Sequence, residues 1–521
     1  MGAPDLPRSA TGRRRWLLAA TVALLAIGAC ALFYRARFHP FLHFSPDAYD
    51  YAQMGRQVYR GEGFTSLQAF PYTLAFLAEN GVETEPPWPN TTRFPLVSIA
   101  HAIAFSIVGP NSAGVVLSGG AFFVGAAILV FLLGNRLFGP GVGFVAAVVV
   151  LADARQQQLA VSGLLEPGAG FFLVLSTLLF ALCARSEGRR LAPLGLGAVL
   201  GLAFLQRYDL LVLLPAAILA TVVRRRQIEV PELVAIAAGF LVVTGPWFAR
   251  NLWLFGSLLG STSVHRNLMF GVSKGDFYQA TRSTDTLTLL WENFPALIGK
   301  VEKAARWTWR AWPTTFGREL RWLFPAFVLA PFLCRGRETR LVWWYLTIGL
   351  VLRYLLLTIM HHESRFYASY VPAFSPFAVA ALAALAAKLP GRLGEVRIRT
   401  GAAAVAVLVL LVSLPVRLSS HMVVGGGVLP MYEELREAAA GGLTSAQNSG
   451  KVAWYADVPV VRFGKTLRQL ERLDAAYGPV NAVLLDRRSK AFENQMATRA
   501  VAPFRERARL GPTVLYERFG G

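Results

Sequence analysis

Apolar runs separated by short polar breaks fill most of the chain. They lie near 16–34, 112–136, 140–154, 164–184, 191–206, 209–223, 233–250, 321–334, 340–360, 366–387 and 400–418. A bilayer core about 30 Å thick takes about 20 apolar residues as helix, so the pattern predicts about eleven transmembrane helices. Residues 95–109 are also apolar but short, and predict a helix that lies along the membrane or re-enters it. Two polar stretches are much longer than the other breaks. The first, 35–94, contains SPDAYDYAQMGRQVYRGEG (Ser45–Gly63) and a second helix-like stretch near 65–79. The second, 251–320, includes TLTLLWENFPALIGKVEKAARWTW, which is amphipathic and too polar to span; it suits the membrane surface. Beyond about 420 the pattern changes. KVAWYADVPVV, NAVLLDRR and TVLYERF read as strands, and FGKTLRQLERLDAAY as a helix between the first two. The fold class expected is an all-α polytopic membrane protein with interfacial helices and a small C-terminal α/β domain. The expected divisions are an N-terminus at 1–15, a membrane domain at 16–419 and the α/β domain at 420–521.

Ser45–Gly63 is the stretch with the most chemistry. Ser45 suits an N-cap, Pro46 the first helical position, and Gly61 the stop after Arg60. Asp47, Asp50 and Tyr51 stand at i, i+3 and i+4, so they share one face. Two carboxylates and a phenol are thereby offered together, either as chemistry or as a complement to the positive end of the helix dipole.

Charge fixes the expected orientation. The chain has 52 basic and 31 acidic residues, a net charge of +21. Such a balance can signal nucleic acid. Here, however, many arginines cluster between apolar runs: Arg13–Arg15, Arg185 with Arg189 and Arg190, Arg224–Arg226, Arg335 with Arg337 and Arg340, and Arg392 with Arg397 and Arg399. Clusters in short loops mark the cytoplasmic side, which excludes nucleic-acid binding as their explanation. With 95–109 interfacial, all of them fall on that side, the N-terminus is cytoplasmic and the C-terminal domain lies outside. The opposite face then receives Asp47, Asp50, Glu85, Arg93, Glu166, Arg207, Asp209, His265, His361, His362, Glu363 and Arg365. The basic start and apolar core of the N-terminus resemble a signal peptide, but the run is long enough to anchor, as a first span. Cys30, Cys183 and Cys334 all lie in or at the end of apolar segments and make no disulfide framework or metal spacing.

In order along the chain come an apolar span, the acidic helix SPDAYDYAQMGRQVYRGEGF, the turn TTRFPL, then PWFARNLWLFGS and ESRFYASYVPAFSPF. This order resembles the GT-C membrane glycosyltransferases, in particular bacterial relatives of the protein O-mannosyltransferases and of the aminoarabinose lipid A transferases. The resemblance covers most of 15–390. It implies a GT-C-like helical bundle in the bacterial inner membrane and a polyprenyl-phosphate sugar donor. The implied acceptor is a lipid, glycan or protein outside the cytoplasm. An Asp in the first outer loop would act as general base, and Asp47 matches that position; Ala48 follows it where the mannosyltransferases carry an Asp-Glu pair. Glu166 matches a second acid, and Asp50 is a further candidate for positioning the acceptor. Arg365, Phe366 and Tyr367 match an element that handles the lipid phosphate, and Glu85 before Pro86 and Pro87 echoes a charged residue before a paired proline.

The residues themselves leave several readings open. Arg353 lies about two turns inside its span, where it could line the donor groove or snorkel. Arg207 and Asp209 read as a structural ion pair. His361, His362 and Glu363, with His265, could be plain loop residues or ligands of a divalent metal, Mg²⁺ or Mn²⁺. A lipid transporter or flippase, and a non-catalytic lipid-binding scaffold, are the rival functions. The chain shows no internal repeat of the kind transporters carry, and its acids gather at one mouth.

Overall fold

The computed structural model describes residues 10–38, 46–183, 191–225, 230–259, 262–269, 286–315, 322–334, 336–387, 429–440, 442–462, 466–485, 490–497 and 503–518, with positions 272 and 280. The expected Ser45 cap and the span at 400–418 lie outside these residues. The chain opens with helix α1 (Ala10–Phe38), α2 (Pro46–Arg60), strands β1 (Thr65–Ser66) and β2 (Gln68–Ala69), α3 (Pro71–Glu79) and β3 (Trp88–Pro89). It continues through α4 (Leu96–Val108), α5 (Ser112–Phe138), α6 (Pro140–Ala152), α7 (Ala154–Ala160), α8 (Glu166–Cys183) and α9 (Leu191–Gln206). Then follow α10 (Leu213–Arg225), α11 (Val230–Phe255), α12 (Thr262–Met269), α13 (Thr286–Glu292) and α14 (Phe294–Thr315). Helices α15 (Leu323–Leu333), α16 (Arg337–Ile359) and α17 (Val371–Ala386) complete the bundle.

Among the described residues six helical segments are long and apolar enough to cross a membrane, and five shorter apolar helices pack with them. Ten of the expected spans coincide with these segments. The fifth short helix is α4, at the stretch expected to be interfacial. Local chemistry explains the boundaries. Asn111 caps α5 by accepting from the amides of Ala113 (2.9 Å) and Gly114 (3.2 Å). Asp153 caps α7 through the amide of Arg155 at 2.9 Å. Helix α2 begins at Pro46 and stops before Gly61, whose φ of 86° few other residues tolerate. Helices α9 and α11 touch backbone to backbone: a Cβ on Gly197 would meet Ile236 O at 2.0 Å, and one on Gly239 would meet Leu194 O at 2.1 Å. Apolar helices in lipid gain little from burying Leu against Leu, so such close approach supplies the packing that holds them.

The remaining elements are α18 (Leu429–Ala438), β4 (Leu443–Ala446), α19 (Ser449–Tyr455), β5 (Val460–Arg462), α20 (Leu467–Tyr477), β6 (Val480–Leu485), α21 (Lys490–Ala497), β7 (Phe504–Leu510) and β8 (Thr513–Arg518). They form a six-stranded mixed sheet in the order β2-β5-β4-β6-β8-β7. Its faces alternate with period two. Val461, Val483, Leu485, Val514 and Tyr516 join one apolar cluster, whereas Val460, Leu484 and Leu515 join another. The edge strand β2 comes from the first long loop, so the sheet is not closed by the C-terminal segment alone.

Three expectations need correction. The stretch 65–79 is helical only from Pro71; its first residues are drawn into strands because Gln53 of α2 accepts from Leu67 N (3.0 Å) and donates to Ser66 Oγ (2.7 Å). In KVAWYADVPVV only Val460 and Val461 belong to a strand, while Lys451–Tyr455 finish α19 under a cap from Asn448. The apolar residues of this helix divide between two partners: Trp454 packs against α2, while Val452 and Ala453 cover one face of the sheet. The polar stretch from 251 starts as helix, because α11 runs on to Phe255. Helices α13 and α14 leave Leu287 (78% exposed), Trp291 (85%) and Phe294 (60%) uncovered by protein, as an interfacial helix would.

Candidate active site

The shared face of α2 meets one guanidinium. Arg93 sits in a turn held by Asn90, whose Oδ1 accepts from the amides of Thr92 (3.0 Å) and Arg93 (3.1 Å). From there Arg93 donates to Asp47 Oδ1 through Nη2 (2.6 Å) and to Asp50 Oδ2 through Nε (2.7 Å). Its guanidinium lies 4.8 Å from the centre of the Tyr51 ring. The i, i+3, i+4 spacing thus gathers all three side chains on Arg93.

Two more arginines reach Asp47 from distant elements. Arg365, at the entry to α17, donates from Nη2 to Asp47 Oδ2 at 2.8 Å and pairs through Nε with Glu363 at 2.6 Å. Arg266, on α12, lies 3.5 Å from Asp47 Oδ1. Helix α12 is stapled in place by Lys300 of α14, whose Nζ donates to Asn267 O and Leu268 O at 2.7 Å each and also to Met360 O at the end of α16. The Asp47 side chain remains 25% exposed, at an open cleft. Among the described residues, Arg93, Arg207, Arg266 and Arg365 line this cleft against two carboxylates, Asp47 and Glu166. Leu164, Phe94 and Phe366 add apolar wall.

Glu166 opens α8 and is almost fully buried. Its Oε1 accepts from Arg207 Nη1 at 3.2 Å and lies 3.6 Å from Arg365 Nε. Its Oε2 is buried without a hydrogen-bond partner among the described residues. Arg207 stacks on Phe366 at 3.7 Å and donates from Nε to Asp209 at 2.6 Å.

The electrostatics follow from this crowding. Burial would raise the Asp47 carboxyl, but Arg93, Arg266 and Arg365 outweigh it and hold the group well below the usual carboxylate range. Burial pushes the His361 imidazole below its ordinary value despite Glu363 beside it, and pushes His362 down to about 4, so both are neutral at pH 7. Because the folded Asp47 pKa is depressed, its contribution to stability is present above the unfolded value of about 3.9 and is lost as pH falls through the lower folded value. The melting temperature of the detergent-solubilised protein should therefore carry no Asp47-dependent change between pH 7 and 5. Below pH 4 wild type should drop more steeply than Asp47→Asn; parallel profiles would contradict the assigned charge state.

The other candidates are placed differently. Asp50 is buried behind Arg93 and also accepts from Gln53 Nε2 at 3.3 Å; it does not line the cleft. Tyr367 is buried with its hydroxyl 3.4 Å from His362 Nδ1, also away from the cleft. Arg353 is fully buried, donating to Asp209 Oδ2 and Ser369 Oγ at 2.7 Å each, and does not line it either. Glu85 is exposed and apart from the site. The candidate metal ligands are placed as follows. Among the described residues no three His, Cys, Asp or Glu side chains form a group that could hold a metal ion. Both ring nitrogens of His265 are committed, Nδ1 to Tyr72 at 2.8 Å and Nε2 to Thr286 at 2.7 Å. Glu363 is occupied by Arg365 and His361. His361 alone of the three histidines lines the cleft.

Sequence reading had no site role for Arg93 or Arg266, and saw Arg207 only as a structural partner. Arg93 was visible within TTRFPL beside the acidic helix. Arg266 carried no signal, since α12 joins the site only through tertiary packing.

Residues 89–249 match the family described as dolichyl-phosphate-mannose-protein mannosyltransferase. The matched stretch holds Arg93, Glu166, Arg207 and Asp209 but not Asp47 or Arg365. The chain matches no curated protein by sequence. In structure it is similar to ArnT from Cupriavidus metallidurans in the apo state, with a TM-score of 0.60 at 14% identity over 96% of this chain and 98% of that one. The same protein bound to undecaprenyl phosphate gives 0.59 at 12% identity, over 98% and 99%. The Archaeoglobus fulgidus oligosaccharyltransferase AglB, in complex with an inhibitory peptide and a dolichol-phosphate, gives 0.56 at 13% identity, over 89% and 69%. These likenesses establish a shared fold. The resemblance read from the sequence therefore stands: in this multi-pass integral membrane protein residues 89–249 are similar to the dolichyl-phosphate-mannose-protein mannosyltransferases, and the fold is ArnT-like.

Proposed function

We propose that the protein is an inverting glycosyltransferase that moves a sugar from a polyprenyl phosphate to an acceptor hydroxyl outside the cytoplasm. The acceptor class is a lipid, glycan or protein. In this reading the chain has about eleven spans, its N-terminus lies inside, and the cleft and C-terminal unit lie outside the bacterial inner membrane. One observation carries the reading: a partly exposed carboxylate, Asp47, sits among three arginines at a cleft whose lining has four guanidiniums and two carboxylates. The cationic surplus suits a phosphate, and guanidiniums meet phosphate oxygens in a fork.

The donor phosphate would lie against Arg365 and Arg266. The acceptor oxygen attacks the anomeric carbon, the bond from that carbon to the phosphate oxygen breaks, and the acceptor proton passes to Asp47. Attack opposite the leaving phosphate inverts the centre. Asp47 is a weak base while three arginines surround it. Donor phosphate would partly neutralise those charges, so its basicity rises when substrate is present. Glu166 Oε2 would accept from a sugar or acceptor hydroxyl.

Purified protein with a panel of radiolabelled polyprenyl-phosphate sugars tests this. Transfer, or slow hydrolysis, of one donor supports it. Lipid binding without turnover across the panel, together with lipid movement across vesicles, would replace it with a flippase. Arg365→Lys keeps the charge but loses the fork that joins Asp47 to Glu363. It should raise donor KM about tenfold, the loss of roughly one charge-assisted hydrogen bond; an unchanged KM removes Arg365 from phosphate binding.

A further inference from the structure

The C-terminal unit grips α2 at several points. Arg56 is buried and donates to the carbonyls of Trp454 (2.9 Å) and Ala453 (2.6 Å) in the last turn of α19, carbonyls that have few partners within their own helix. Its Nη2 also pairs with Asp457 at 2.8 Å. Arg60, one turn on, forks onto both oxygens of Asp457 at 3.0 and 2.6 Å. Asp457 has a φ of 56° and is the one non-glycine residue with positive φ among those described. That conformation is uncommon and is retained where surrounding contacts over-determine it.

The second grip is beside Asp47 itself. Gly450, in the first turn of α19, lies close against Gln68 and the start of α2: a Cβ there would stand 2.7 Å from Gln68 Oε1, 3.0 Å from Pro46 O and 3.5 Å from Asp50 N, so Pro46 O and Asp50 N are its backbone neighbours on α2. Those two atoms bracket Asp47 along the chain. Between the grips, Tyr455 meets Tyr49 edge-on at 5.6 Å, and Trp454 packs into the cluster that holds Ala48 and Ala52. None of Arg56, Arg60, Gly450 and Asp457 lines the cleft.

We propose that Arg56, Arg60 and Asp457, with the Gly450 contact, are positioning elements that set where Asp47 stands in the cleft, so that the C-terminal unit aligns the base without touching substrate. This rests on the transferase reading above. Asp47 and Arg56 are nine positions apart, about 14 Å along a helix, so a tilt of about 5° about that clasp moves the carboxylate by about 1 Å. A displacement of that size can cost about 100-fold in rate.

The test compares wild type with Asp457→Asn, Asp457→Gly, Gly450→Ala and the control Arg507→Gln. The control breaks surface pairs to Glu434, Glu437 and Glu517 within the same C-terminal unit. Glycine relaxes the backbone at position 457 while removing the clasp, which separates local strain from alignment. The readouts are kcat, donor KM, melting temperature and hydrogen exchange of α2 amides. The first three variants should exchange faster in α2 and lose about 10- to 100-fold in kcat, with donor KM within about twofold, while Arg507→Gln matches wild type. Wild-type kcat in both Asp457 variants, or kcat that merely follows melting temperature across all four, overturns the proposal. A wild type that transfers no sugar overturns the function and this role together. That result is told apart from failure of the clasp, because α2 exchange is read without turnover.

Discussion

Asp47→Asn lowers kcat for sugar transfer by about 10²–10⁴-fold, the range typical for loss of a general base. Asparagine keeps the shape and one oxygen of the side chain but cannot accept the acceptor proton. Donor KM should change little or fall, because Arg266 and Arg365 lose a competing carboxylate and keep their place at the cleft. This split between kcat and KM distinguishes a lost base from a collapsed site. Three guanidiniums would then crowd a neutral side chain, so a melt of the variant must accompany the kinetics. Equal activity in a folded variant would move the base to Glu166, which also lines the cleft and has an unmet oxygen. The charge state supports the order of preference. Asp47 is ionised in the free protein because three arginines hold it so, and binding of an anion beside those arginines raises its proton affinity when the proton has to move.

Asp209→Ala destabilises the fold by about 3–5 kcal/mol, the cost usually seen when one partner of a buried ion pair is removed. Asp209 bridges Arg207 (2.6 Å) and Arg353 (2.7 Å), and its own side chain and that of Arg353 are wholly buried. Its loss leaves two guanidiniums buried beside one another, in a bundle where charges cannot be met by water. Asp209→Asn keeps an acceptor oxygen and should cost less. Thermal unfolding in detergent reads both. Transfer activity of Asp209→Asn, measured well below its melt, should also fall, because Arg207 loses the tether that aims it at Glu166. A melting temperature within about 2 °C of wild type for Asp209→Ala would show the triad to be dispensable for the fold.

Much of this site was legible in the sequence, and unevenly so. The face of α2 was readable because i, i+3 and i+4 positions adjoin on any helix, and Arg93 indeed meets Asp47, Asp50 and Tyr51 there. Arg365 was readable as a charge at the mouth of an apolar span. Lys451–Tyr455 misled because short alternation does not distinguish a strand from a helix that packs one side. The partners of His265, Tyr72 and Thr286, carried no signal in the sequence, because they come from separate elements.

The sequence by itself determined that the protein crosses a membrane many times, where most spans lie, and that acids and arginines gather at one mouth. Those features depend on length, hydropathy and local spacing, which act along the chain. Only the tertiary structure decided that Arg93, Arg266 and Arg365 converge on one carboxylate, that Arg353 serves Asp209 rather than the cleft, and that α19 clasps α2. These contacts join residues up to 398 positions apart, and pairing over such separations depends on how helices and sheet pack in space, which no local pattern encodes.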